Sequence, residues 1–207
     1  MAIILLVRHG QNDMVGKKLA GRLPDVHLNE AGRTQAGNLA AAFSGLPIKA
    51  IFSSPLERTL ETAQPIAREH DLTVEILPDL LEIDFGNWQG QDLEELKKSS
   101  DWKYVQEQPA DFRFPMGESF AEAQQRMAAC LTHIGEIYQK DDLVVCVGHS
   151  DMIRLSVAHF LGIPLNDFQR LRIETASVTV LYLSEEKANF GAINHVLSFP
   201  ENLKPGD

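Results

Sequence analysis

The sequence predicts an α/β protein: a three-layer α/β/α sandwich whose central sheet is mainly parallel, with an antiparallel edge. Three observations predict it. Four short apolar runs lack polar alternation, as strands covered on both faces do. Segments of helical period alternate with them, the pattern of parallel βαβ units. Near the C-terminus two more apolar runs flank a short polar stretch, the pattern of a hairpin.

The first apolar run is residues 2–7. Asn29 is a good N-cap for a helix that carries Ala36, Leu39, Ala40 and Phe43 on one face. The second run, residues 50–52, leads into a helix with Leu56, Leu60, Ala63 and Ala67 on its apolar stripe. The third run is residues 74–77. Residues 87–115 are polar, with Trp88, Trp102, Tyr104 and Phe112 scattered through them. They read as an excursion over one face of the domain, helical around residues 92–99. After Gly117 a longer helix carries Phe120, Met127, Leu131, Ile134 and Tyr138 at helical spacing. The fourth run, residues 143–147, is followed by a helix with Ile153, Val157 and Phe160 that stops at Gly162-Ile163-Pro164. The hairpin strands are residues 177–183 and 191–196, and the tail, 202–207, is expected to fray.

With 207 residues, against a typical domain of roughly 150, residues 1–207 read as one domain. Hydrophobic residues at 44% and charged residues at 23% exclude a disordered or low-complexity chain. No apolar stretch reaches the roughly 20 residues of a membrane span. The first residues lack a basic n-region and meet Arg8-His9 early, which argues against a secretory signal. The net charge of −10 argues against a nucleic-acid or anionic-membrane partner. Cys130 and Cys146 sit in apolar patterns and read as buried thiols of a reducing, cytoplasmic compartment. A homodimer through an edge strand or apolar patch is compatible with the sequence.

The chemistry lies in the residues just past each strand. Residues 2–7 run into Arg8-His9-Gly10. Residues 50–52 run into Ser53-Ser54-Pro55, with Arg58 one turn into the next helix. Residues 143–147 run into Gly148-His149-Ser150, and residues 74–77 are followed by Asp79, Glu82 and Asp84. Ligands of open α/β sheets bind beyond the carboxyl ends of the strands. Parallel neighbours would therefore bring two arginines, two histidines and a carboxyl group to one rim. Arginine forks match phosphate oxygens two at a time and stay charged. One histidine can attack phosphorus while the other stabilises the equatorial oxygens. A carboxylic acid beside a phosphate is a good proton donor to the leaving oxygen. Helix N-termini after Ser54 and His149 would add N–H groups. His27, His70, His133, His159 and His195 read as ordinary polar residues. Metal ligation by His9 and His149 is disfavoured, because neither has a second ligand at metal-site spacing and the arginines repel a cation. No Gly-x-Ser-x-Gly elbow of a serine hydrolase occurs.

The run Leu6-Val7-Arg8-His9-Gly10 resembles the signature of the histidine phosphatase superfamily, in its phosphoglycerate-mutase-like branch. So do Phe52-Ser53-Ser54-Pro55-Leu56-Glu57-Arg58-Thr59 with Thr62-Ala63, and Leu81-Glu82-Ile83-Asp84-Phe85-Gly86-Asn87-Trp88-Gln89-Gly90. Gly117-Glu118-Ser119 and Val147-Gly148-His149 come next in the same order, and Leu28-Asn29-Glu30-Ala31-Gly32 with Gln35-Ala36 resembles the start of the family's first helix. The resemblance runs from about Ile3 to Val196 and implies a phosphoglycerate-mutase-like fold. It implies His9 as the nucleophile that is phosphorylated, Glu82 as proton donor and then base, and His149 as the third catalytic residue. Arg8 and Arg58 would hold the phosphoryl group with it, and Gly10, Asn12, Arg22 and Ser150 complete the candidate binding set. No metal or organic cofactor is implied.

Two departures stand out. The family's Thr and Asn after the Arg-His-Gly-x run are Asn12 and Val15 here, so one phosphate contact must come from elsewhere. Arg22 either supplies it, reads the rest of the substrate, or is a surface arginine. The family's Gly after the second histidine is Ser150. The expected function is a metal-independent phosphomonoester hydrolase acting through a phosphohistidine on a small phosphorylated metabolite. The rivals are a phosphoglycerate-type mutase and a weakly catalytic phospho-ligand binding protein. The connection between Glu82 and Gly117 is short, which resembles the family's phosphatases and not its cofactor-dependent mutases.

Overall fold

The computed structural model describes residues 1–184 and 187–197. The expected fraying of residues 202–207, and Glu185 and Glu186 between the expected hairpin strands, lie outside them. The chain runs β1 (Ala2–Arg8), α1 (Glu30–Phe43), β2 (Ile48–Ser53), α2 (Glu57–Glu69), β3 (Val74–Ile76), α3 (Leu93–Leu96), α4 (Ser100–Glu107), α5 (Phe120–Ile137), β4 (Leu143–Gly148), α6 (Ser150–Leu161), β5 (Val178–Leu183) and β6 (Ala188–His195). One sheet holds all six strands in the order β3-β2-β4-β1-β5-β6. The first four are parallel, and the β5–β6 hairpin adds the antiparallel edge against β1.

Alternation along the strands divides the core. Ile4, Leu6, Ala50, Phe52, Val144 and Cys146 face α5 and α6 through Met127, Leu131, Met152 and Leu155. Leu5, Val7, Ile51, Val145 and Val147 face α1 and α2 through Leu39, Phe43, Ala63 and Ile66. Asn29 caps α1, its side chain accepting from the Gly32 N–H. Ser119 and Glu122 form a capping box on α5. Gly162, in the left-handed region at φ 67°, ends α6.

Three expectations are corrected. β3 has only three residues and lies at the sheet edge, where Glu75 and Ile76 are exposed; it is not covered on both faces. The buried face of α2 is not purely apolar: Arg58, Thr59 and Thr62 share it with Ala63, Ile66 and Ala67, while Leu60 is half-buried. The aromatics of residues 87–115 are not scattered. Trp88 packs on Trp102, Phe112 and Phe114, and Phe114 continues to Phe85 and Phe120. The excursion thus carries its own aromatic core and joins it to α5.

Register sets the site. Arg8 lies opposite Gly148, and Ser53 opposite Val147, so β1, β4 and β2 end at one level. The ladder continues one residue further, where the His9 N–H donates to the Gly148 carbonyl at 3.0 Å and the Ser54 N–H to the Val147 carbonyl at 3.0 Å.

Candidate active site

His9, His149, Arg8, Arg58 and Glu82 converge beyond these strand ends, as their positions in the sequence required. Four of them line a cavity of about 220 Å³; His149 is fully buried behind it, its ring centroid 5.4 Å from that of His9. His9 Nδ1 lies 2.7 Å from the Gly10 carbonyl oxygen, which can only accept, so Nδ1 carries the proton. Nε2 is left with its lone pair. Burial, then the charges of Arg8 and Arg58, hold the His9 imidazole well below its ordinary protonation range. A neutral ring with a fixed tautomer and a free Nε2 is the form that can attack phosphorus.

Arg58 is 1% exposed. Its Nη2 donates to the Gly21 carbonyl at 2.5 Å and stands 3.4 Å from His149 Nδ1. Its Nε and Nη1 are buried without partners, as is Arg8 Nε, although Arg8 Nη1 donates to the Ile173 carbonyl at 2.6 Å. Burial brings the Arg58 guanidinium down to about 10, still charged at neutral pH. Unpaired buried N–H groups on a cation are costly, and an anion in this cavity relieves that cost. His149 Nε2 sits 2.9 Å from the Ser54 hydroxyl. With Arg58 as the only donor beside it, Nδ1 accepts and Nε2 donates. Burial, then Arg58 and His9, keep this ring neutral as well.

Glu82 is 8% exposed. Burial first, then the nearby Asp151 charge, push its carboxyl up to about 7 against the pull of the Ile83 N–H, Arg58 and Arg8. It is therefore partly protonated at neutral pH, as a group that both gives and takes a proton should be. Its backbone is pinned. Arg22 Nε donates to the Glu82 carbonyl at 2.8 Å, and Arg126 Nη1 donates to the Asp79 and Leu81 carbonyls at 2.6 and 2.9 Å. Glu118 ties the two arginines together at 2.9 and 3.0 Å and accepts from the Asp84 N–H at 3.1 Å. Gly86 and Gly117 permit the backbone approach beside it: a Cβ on Gly86 would lie 2.1 Å from the Pro115 carbonyl oxygen, and one on Gly117 2.2 Å from that of Asp84.

A family model described as "Histidine phosphatase superfamily (branch 1)" matches residues 4–196. The chain belongs to the histidine phosphatase superfamily. It is 32% identical over 189 residues to phosphoserine phosphatase 1 of Hydrogenobacter thermophilus, covering 90% of this chain and 89% of that one. Over 183 residues it is 31% identical to a 2,3-bisphosphoglycerate-dependent phosphoglycerate mutase of Thermoplasma acidophilum, covering 87% of each. A solved mycobacterial glucosyl-3-phosphoglycerate phosphatase superposes with a TM-score of 0.83 at 26% identity, covering 93% of this chain and 98% of that one. The family match, with the two phosphatases among these relatives, makes the chain an enzyme, a phosphatase of that superfamily.

The remaining candidates of this histidine phosphatase divide. Asn12 is buried and lines the cavity; its Oδ1 accepts from the Met14 and Val15 N–H groups at 3.0 and 3.2 Å, so the group left for a ligand is its amide NH2. Ser150 lines the cavity in the first turn of α6, where backbone N–H groups lack helical partners. Two further candidates, Gly10 and Arg22, stand outside the cavity lining. The Gly10 N–H donates to Thr62 Oγ1 at 3.0 Å instead of facing the cavity, and its carbonyl orients His9. Gly10 also lets α1 approach, since a Cβ there would lie 2.7 Å from the Gly32 carbonyl oxygen. Arg22 does not line the cavity; it holds Glu82 from behind, bonded to its carbonyl and to Glu118.

Several lining residues escaped the sequence reading. Asp151 and Arg154 pair at 2.9 Å on the first turn of α6, and Lys18 and Leu19 border the cavity. The available signal was spacing: residues three apart share a helix face, and this turn begins at the C-terminal end of β4. Among the described residues no group of three His, Cys, Asp or Glu side chains could hold a metal ion, and no helix is long and apolar enough to cross a membrane.

Proposed function

We propose that this chain is a phosphomonoester hydrolase that works without a metal, through a phosphohistidine at His9. One observation carries the reading: buried, unpaired guanidinium nitrogens share a cavity with a neutral imidazole whose Nε2 is free and a carboxyl group half-titrated near neutrality. Arg58 Nε and Nη1, Arg8 Nε, the α6 N-terminus at Ser150 and the Asn12 amide hold the phosphoryl oxygens. Asn12 thereby makes good the contact that Val15 cannot offer. His9 Nε2 bonds to phosphorus as the ester P–O bond breaks, and Glu82 gives its proton to the leaving oxygen. Water then attacks phosphorus while the Glu82 carboxylate takes its proton. The P–N bond breaks, its electrons return to Nε2, and inorganic phosphate leaves. Anionic charge arriving in the cavity favours protonation of His149, which then stabilises the transferring group with Arg58.

The chain acts as one catalytic domain, since both core layers share the sheet that carries these residues. Its substrate is a small phosphorylated metabolite. The buried thiols Cys130 and Cys146, both pushed up by burial, support a reducing, cytoplasmic setting. Exposed Gly16 and Lys18 border the cavity, which supports water as the acceptor over a recaptured product. The deciding experiment supplies 3-phosphoglycerate with a trace of 2,3-bisphosphoglycerate, and in parallel a phosphoester panel, all in EDTA. Phosphate should be released and vanadate should inhibit. Rapid formation of 2-phosphoglycerate with little free phosphate would establish a mutase instead, and activity lost to chelator and restored by zinc or magnesium would remove the metal-free mechanism.

The acid gives a second prediction. Glu82 must be protonated for the first transfer, so kcat/KM for alkyl phosphates, corrected for the ester's own ionisation, should fall as pH rises through about 7. Glu82→Gln should cost alkyl phosphates roughly 10²–10⁴-fold and abolish that alkaline limb. p-Nitrophenyl phosphate, whose leaving group departs as an anion, should lose less. Equal losses on both esters would take Glu82 out of the donor role.

A further inference from the structure

A second cavity, also of about 220 Å³, adjoins the one that holds His9. Leu19, Phe85, Asp151 and Arg154 line both, so the two abut at these four residues, the neck between them. Beyond the neck the walls are mostly apolar, formed by Trp88, Trp102, Val105, Phe114 and Phe120, with Gln106 and Gln169 among them. The walls are built to hold their shape. Trp88 is locked edge-on against Phe114 at 5.3 Å, and Phe114 against Phe85 at 4.9 Å. Trp102 lies nearly parallel to Trp88, their planes 21° apart, and stays half-buried, so its ring is open to a further planar group. At the neck Asp151 and Arg154 neutralise one another, leaving Arg154 Nε buried without a partner.

We propose that this second cavity receives the leaving group, and that the preferred substrates are monoesters of alcohols carrying an aromatic ring. The proposal rests on the hydrolase reading and names its substrate class. The phosphoryl group sits with Arg8 and Arg58, the ester oxygen faces Glu82, and the chain beyond it passes Arg154 into the aromatic chamber. An apolar cavity of roughly 150 Å³ accepts a benzene ring, so this one holds a single ring with room for its linker. A leaving group as short and polar as serine or glycerate ends at the neck and leaves the aromatic walls unfilled.

Ethyl and 2-phenylethyl phosphate test this directly, because neither offers an easier bond to break. Burying the added ring should raise kcat/KM for the phenylethyl ester roughly 10- to 100-fold over the ethyl ester. Trp102→Ala should bring that ratio most of the way to unity. A second readout does not depend on the variant folding or on turnover. Both tryptophans of the chain line this cavity. Titration with benzylphosphonate should therefore shift the intrinsic fluorescence of the wild-type enzyme saturably, and methylphosphonate should not. A fluorescence response without hydrolysis of either ester would support the aromatic subsite and defeat the hydrolase reading. Equal kcat/KM for the two esters, or inhibition by benzylphosphonate with unchanged fluorescence, would overturn the aromatic subsite and leave the hydrolase reading standing.

Discussion

Replacing His9 with alanine should remove turnover, by on the order of 10⁶-fold, the scale on which a hydrolase loses rate when its covalent nucleophile is deleted. The size of the effect comes from position. His9 continues the β1 ladder through its N–H on Gly148, and its ring is fixed by Nδ1 on the Gly10 carbonyl. Gly10 is held in turn by Thr62, whose hydroxyl donates to the Arg58 carbonyl at 2.7 Å. The proposed nucleophile and the anion site are thus one hydrogen-bonded unit, and the second imidazole of the site, that of His149, turns its Nε2 to Ser54. The variant should still bind phosphate, because Arg8 and Arg58 remain. Steady-state assay with isothermal titration separates the two effects. Loss of phosphate binding in step with turnover would mean that the fold had failed, not the chemistry.

Arg58→Met should lower kcat/KM by roughly 10²–10³-fold, the loss expected on removal of one donor to a developing oxyanion. Arg58→Lys should recover little, since a point charge cannot replace a planar fork. Stability should move the other way. The methionine removes two buried nitrogens without partners, Nε and Nη1, and gives up two hydrogen bonds, to the Gly21 carbonyl and to His149 Nδ1. Each stranded group costs about 1–3 kcal/mol, while a typical hydrogen bond contributes about 1 kcal/mol. The variant's Tm should therefore equal or exceed that of the wild type, at roughly 2–4 °C per kcal/mol for a chain of this size. Phosphate should raise the wild-type Tm and leave the variant's nearly unchanged. A large fall in Tm on losing Arg58 would show that the guanidinium serves the fold and not the ligand.

The parallel strands were legible because their apolar runs end in charged residues at matching places, and matching ends are what the Arg8–Gly148 and Ser53–Val147 registers deliver. The convergence of Arg8, His9, Arg58, Glu82 and His149 at those ends was legible for the same reason. At β3 the run 74–77 reads as covered, yet Glu75 inside it is the mark of the exposed edge strand that the sheet order shows. The polar side of α2 was invisible to an apolar stripe: Arg58, Thr59 and Thr62 are buried by what they bind, through Gly21, Ser54 and Gly10. Residues 87–115 looked scattered because their aromatics meet one another and α5 only in three dimensions. The role of Arg22 stays open in the sequence, between a phosphate contact, a substrate reader and a surface arginine, because its partners Glu82 and Glu118 lie 60 and 96 positions away, beyond any local pattern.

The measurement closest to the central claim is a brief reaction with a ³²P-labelled phosphoester, quenched and mapped. Label should appear on His9, survive alkali and be lost in acid, and it should be absent from His9→Ala. In Glu82→Gln the label should persist longer, because the group that activates water is gone. Label that survives acid and maps to Ser53, Ser54 or Ser150, or turnover with no label on His9 under any quench, would contradict the phosphohistidine mechanism.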